Sequence, residues 1–115
     1  MDSILTSIKK LLGIEDEYMH FDSDIILYIN SALMSLNQLG IGPEAGYIIL
    51  SDAETWTDYL GTQINVEAVK SYVYLKTRLM FDPPSSSSVL EAIERQIKEI
   101  EWRLIVQVEG GAPVG

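Results

Sequence analysis

The chain has 115 residues, enough for one domain, and its 47% hydrophobic and 22% charged residues are those of an ordinary globular protein with a modest core, which excludes disorder throughout. It contains no cysteine, so a disulfide framework and a thiolate metal site are excluded, as suits a reducing compartment. Lys and Arg total 8 against 17 Asp and Glu, a formal charge of -9, and such a surface repels phosphate: the chain can face nucleic acid without gripping it.

The stretch Met1 to Ile8 lacks the basic start and unbroken apolar run of a signal peptide, and no window approaches the ~18 consecutive apolar residues of a membrane span. Ile4, Leu5, Ile8, Leu11 and Leu12 make the stripe of a first helix, with Gly13 as its stop. The acidic run Glu15-Asp16-Glu17 bridges to a second helix starting at Asp22 or Ser23. Its buried face is Ile25, Ile26, Ile29, Leu33 and Leu36, with Asn30, Asn37 and Gln38 outside and Gly40 at the C-terminal stop.

Between Gly40 and Gly61 the helical pattern fails. Ile41-Gly42-Pro43 predicts a turn, Tyr47-Ile48-Ile49-Leu50 a β-prone run that could form one strand of a small hairpin, and Asp52 to Leu60 a single helical turn containing Trp56. A third helix starts near Asn65, a good N-cap, and places Val66, Val69, Val73 and Leu79 inward. Pro83-Pro84 ends it by removing two donors and pushing Asp82 out of the α region.

The serines Ser85 to Ser88 form a linker, and Ser88 with Glu91 fits a capping box for a fourth helix from Val89 to about Leu104. Glu91–Arg95, Glu94–Lys98 and Glu99–Arg103 have the favourable i, i+4 order, each worth about 0.3 kcal/mol. At 100° per residue, Leu90, Ile93, Ile97, Ile100 and Leu104 fall in one narrow stripe, while Trp102 and Val106 land opposite it among Glu91, Arg95 and Glu99. A subunit that buries the stripe leaves Trp102 either covering a neighbouring loop or the N-terminal segment, or packing on another subunit.

Beyond Leu104, Ile105-Val106-Gln107-Val108 is β-branched and poor for a helix end, readable as a docking strap or a frayed helix, and Gly110 to Gly115 should be a flexible tail. The expected architecture is mainly α: a small bundle of about four helices with a short β-prone loop in the middle, in one helical domain (1–109) followed by a tail (110–115).

Catalytic and cofactor signatures are not found. His20 has no cysteine or second histidine with which to share a metal, and Asp22-x-Asp24 lacks the glycine and terminal glutamate of a calcium loop. Gly40-x-Gly42 is followed by Pro43 and makes no phosphate loop. Glu91 and Glu94 have the E-x-x-E spacing of helical metal-dependent nucleotide hydrolases, but the third helix offers only Glu67 as a counterpart. Neither an enzyme nor a cofactor is expected.

The short first helix, the Asp-led second helix, Thr55-Trp56 and Tyr59-Leu60-Gly61 in the central loop, and helix–Asp82-Pro83-Pro84–helix with Glu101-Trp102-Arg103 together resemble the small head–tail connector (adaptor) proteins of long-tailed bacteriophages, over roughly residues 3 to 108. The resemblance implies a helical, non-enzymatic virion protein, assembled in the host cytoplasm. Its copies would form a closed ring of about twelve, a dodecamer, beneath the portal at the neck. Such a ring extends the DNA channel, lets DNA pass without specific binding, and offers a surface to stopper or tail-completion proteins. On that reading Trp102, Ile105, Val106 and Val108 are the candidates for subunit or portal contact, and Trp56 and Tyr59 for contacts of the central loop. The competing reading is a small acidic module acting on a host protein as a DNA mimic. Against it, the carboxylates here alternate with Lys and Arg, where mimicry calls for unopposed acidic rows.

Overall fold

The computed structural model describes residues 3–61 and 66–110. Five helices follow one another: α1 (Ile4–Leu11), α2 (Asp22–Gln38), α3 (Trp56–Leu60), α4 (Val66–Phe81) and α5 (Ser87–Gly110). The chain is mainly α, with four principal helices and the expected single turn at Trp56 as a short fifth.

Helix α4 is the centre, packed by α1, α2 and α5. Val69, Tyr72, Val73, Leu75 and Thr77 are all buried, and Leu75 lies on the side of the helix opposite Val73. The single inward stripe expected from Val66, Val69, Val73 and Leu79 is thus too narrow: Val66 and Leu79 are half-buried, and a helix covered on several sides buries residues all round. The expected Asn65 cap lies outside the described residues.

Helix α1 is capped by Ser3, whose Oγ accepts from the Thr6 N–H at 3.2 Å. It buries Ile4, Leu5 and Ile8 as expected, but Leu11 is exposed and the buried neighbour is Lys9, only 1% exposed. The Lys9 ammonium donates to the carbonyls of Asp16 and Tyr18, both at 2.9 Å, and meets Asp22 Oδ1 at 2.9 Å. Two hydrogen bonds and one ion pair compensate the buried cation and tie α1, the connecting loop and the start of α2 into one corner. Phe21 adds an edge contact to Phe81 at 5.2 Å, joining that corner to the end of α4.

The β-prone run makes no hairpin. Among the described residues β pairing is limited to one antiparallel bridge, Ser3 to Thr55, with the Ile4 N–H donating to the Glu54 carbonyl at 3.0 Å. Tyr47 to Leu50 instead lies extended along α2. There the Asn30 amide replaces a neighbouring strand, accepting from the Ile49 N–H at 2.8 Å and donating to the Ile49 carbonyl at 3.0 Å. Asn37 reaches the Pro43 carbonyl at 2.9 Å, so two asparagines expected outside are the stitches that hold the loop.

Helix α5 differs from expectation at both ends. It starts at Ser87, with Ser86 Oγ accepting from the Val89 N–H at 3.4 Å. Ser88 sits inside the first turn, its Oγ 3.0 Å from that of Ser86, and makes no box with Glu91. The helix also runs past Leu104 to Gly110, so residues 105–109 are helix and not an extended strap. Each β-branched residue there costs only about 0.5 kcal/mol of propensity, which packing readily exceeds. Leu104 is fully buried, and Val108 lies over Gly40, where an added Cβ would stand 3.5 Å from Val108 Cγ1. Gly110, expected to open the tail 110–115, is the last residue of α5, and the rest of that expected tail, 111–115, lies outside the described residues. Of the three expected i, i+4 pairs only Glu99–Arg103 closes, at 2.8 Å. Exposed pairs of this kind barely repay the entropy of holding two long side chains.

Replacing Lys9 by methionine keeps the apolar stem but leaves two carbonyls and a carboxylate without their donor. Lys9→Met is expected to lower the unfolding free energy by about 3 kcal/mol, read from urea denaturation, whereas Lys10→Met at the exposed next position should change it little.

Candidate functional site

The azimuth of α5 decides what the subunit presents. Ile93, Ile97 and Leu104 turn inward, and the Tyr72 hydroxyl on α4 donates to Glu101 Oε2 at 2.8 Å. Burial first, then the hydrogen bond and charge of Glu101, push the Tyr72 hydroxyl well above its ordinary pKa, so it remains a donor at any physiological pH. With α5 pinned this way, Trp102 points outward and is 65% exposed, with Val106 one turn on at 45%. Neither the N-terminal segment nor the central loop buries Trp102.

The four α5 candidates separate. Trp102 and Val106 share the outer face, Ile105 is a half-buried flank, and Val108 turns back toward Gly40 at the end of α2. On the outer face Arg103 is paired with Glu99, while Arg95 and Lys98 form no ion pair among the described residues.

Trp56 and Tyr59 are reassigned. They are 1% and 3% exposed, so they belong to the core of the subunit and offer no surface to a partner. The Trp56 indole donates to Ser7 Oγ at 2.8 Å, which in turn donates to the Ile4 carbonyl at 3.1 Å, locking α3 onto α1. Thr55 and Asp58 cap α3 reciprocally, a box legible in Thr55-Trp56-Thr57-Asp58. Tyr59 lies beneath the central loop, its ring 5.1 Å from that of Tyr47. Gly42, at φ 86°, passes directly over it: a Cβ there would stand 2.5 Å from the Tyr59 ring, so only glycine fits.

What the central segment does present is apolar surface that sequence reasoning missed. Ile48 and Leu50 are 58% and 75% exposed, and Leu27 and Met34 stand out on the far side of α2. Leu27, Ser31, Met34, Tyr47 and Ile48 line a groove of about 590 Å³ between α2 and the loop, and no charged side chain contributes to its lining. The signal was available: Leu27 and Met34 are seven residues apart and fall outside the buried stripe of α2.

A second groove, of about 580 Å³, runs between α4 and α5 past Lys76, Glu91, Glu94, Arg95, Lys98 and Glu101. Lys76 stands on the α4 side, where a helical nucleotide hydrolase would need its second acidic pair. Among the described residues no group of three His, Cys, Asp or Glu side chains is placed to hold a metal ion. No described helix is long and apolar enough to cross a membrane.

The described residues thus form an all-helical domain that leaves apolar faces on α2, the central loop and α5 uncovered. The family model for the phage connector protein matches residues 4–111, and the chain belongs to that family. It is therefore a structural connector protein of the virion neck. No curated protein and no solved structure matches the chain.

The loop that forms one wall of the neutral groove depends on an acid. Partial burial works to raise the Glu54 pKa, but hydrogen bonds from the N–H groups of Leu50 at 2.9 Å and Ser51 at 3.2 Å outweigh it and hold the carboxyl below its usual range. With the folded pKa lowered, the stabilisation is complete above the unfolded value and disappears as pH falls through the folded one. Glu54→Gln is expected to lose stability at neutral pH and to show a shallower decline between neutral and acid pH than the parent, measured by urea denaturation across that range.

Proposed function

We propose that this connector is the subunit of the head–tail adaptor ring. In this role its copies form a closed ring that docks on the portal, extends the DNA channel and presents a surface to the stopper or tail-completion protein. The observation that carries the reading is the outward Trp102–Val106 face of α5. A tryptophan left 65% exposed contributes little to a subunit that has already built its core, whereas the same side chain buried in an interface is among the strongest anchors available.

The charge supports the DNA-conducting part of the role. At -9 per copy, a ring carries a dense negative potential, and an acidic channel wall holds no phosphate and lets the duplex slide. The C-terminal end of α5, with Ile105 flanking the outer face and Val108 at the edge that meets Gly40, is the natural place for portal contact. A single copy need not assemble alone, since association must offset the entropy of ordering its interface, and a portal can template it.

Light scattering behind a sizing column tests the proposal. The protein mixed with the portal of the same phage is expected to elute as a ring-sized complex; a chain that stays monomeric and ignores the portal would overturn the reading. Trp102→Ala should weaken subunit association by about 2 kcal/mol, as central interface tryptophans do, while changing the stability of the isolated subunit by less than about 0.5 kcal/mol. Equal loss of both would identify Trp102 as ordinary core.

A further inference from the structure

A ring contact is heterologous: each copy must carry two different surfaces that fit one another, one given and one received. Resting on the ring reading, we infer that the receiving surface is the neutral groove between α2 and the central loop, and that its occupant is the Trp102–Val106 ridge of α5 from the adjacent copy of this chain.

Placement supports the pairing. Helix α4 packs against both α2 and α5, and each of those helices turns its buried stripe toward the core. Leu27 and Met34 lie on the side of α2 opposite Ile25, Ile29 and Leu36, and Trp102 lies on the side of α5 opposite Ile93, Ile97 and Leu104. The two faces are therefore outer flanks of one subunit. Neither can cover the other within a copy, so the contact repeats head to tail.

Chemistry supports it as well. Between copies that each carry -9, an interface must avoid setting acid against acid, and this groove has no charged residue in its lining. It offers a leucine, a methionine and an isoleucine to the indole ring, with the Ser31 hydroxyl exposed for the indole N–H. Its ends are acidic, with Asp24 one turn before Leu27 on α2 and Glu44 beside Ala45 in the loop. Beside Trp102 the ridge carries Arg95 and Lys98, which form no ion pair among the described residues, together with the closed Glu99–Arg103 pair. Glu91 and Glu109 lie farther along it, so the charge match to the groove rim is confined to the stretch around Trp102.

The absence of cysteine from the chain makes the test clean. Val106→Cys and Met34→Cys, both at exposed positions, are prepared as separate proteins, mixed with the portal and treated with a short bismaleimide. The expected result is a cross-linked dimer in the mixture, none with either variant alone, and a ladder of multimers from the double variant. Portal-bound rings that form, by light scattering, without the mixed cross-link would overturn this pairing and leave the ring reading intact. Val106→Cys cross-linking to itself would overturn it in favour of a two-fold contact. A protein that forms no ring under any condition overturns both. As an independent measure, Met34→Glu should weaken association by about thirtyfold, the effect expected of a charge buried opposite an anchor residue, with the isolated subunit's unfolding midpoint unchanged.

Discussion

Helix α4 must be covered on several sides at once, and the rest of the subunit follows from that requirement. Tyr72, Val73 and Leu75 point in different directions around its axis and all are buried. Helices α1, α2 and α5 each commit one apolar stripe to covering them. An amphipathic helix has only one such stripe, so whatever apolar residues α2 and α5 carry elsewhere are left in water. Leu27, Met34, Trp102 and Val106 are among those residues. The core and the exposed apolar faces are two sides of the same helices, and the Tyr72–Glu101 hydrogen bond, which sets the rotation of α5, also aims Trp102.

The polar devices in this fold are few and specific. Lys9 closes the α1–α2 corner with hydrogen bonds to two loop carbonyls and an ion pair to Asp22. Asn30 gives a lone extended segment the backbone partners that a second strand would have supplied. Buried polar groups cost least when satisfied, and the Lys9 ammonium and the Asn30 amide each also position a loop, whereas the Tyr59 and Thr77 hydroxyls are buried without a hydrogen-bond partner among the described residues. The central loop can therefore hold a groove wall without any sheet, resting on Tyr59 beneath and on Glu54 at its edge.

A connector protein has to stay dispersed and then bury part of its surface against other proteins of the virion. A high negative charge serves the first need and opposes the second, because like-charged copies repel. Part of the uncovered apolar surface lies in a groove with an uncharged lining, where like charges are not set against each other.

The sequence by itself determined the helices, their order and their breaks. Gly13, Gly40 and Pro83-Pro84 act locally, through φ preferences and missing donors that no tertiary context overrides, and the stripe of α5 together with the outward position of Trp102 follows from periodicity alone. Tertiary structure decided what local rules leave open. Whether residues 105–109 are helix depended on Leu104 and Val108 finding cover, since propensity differences of a few tenths of a kcal/mol are smaller than a buried contact. Whether Trp56 and Tyr59 were surface or core depended on Ser7 and Gly42, far from them in sequence. The groove came last. Leu27 and Met34 were visible on α2, but only the fold of the central loop, drawn in by Asn30 and Asn37, turned two exposed side chains into one wall of a cleft.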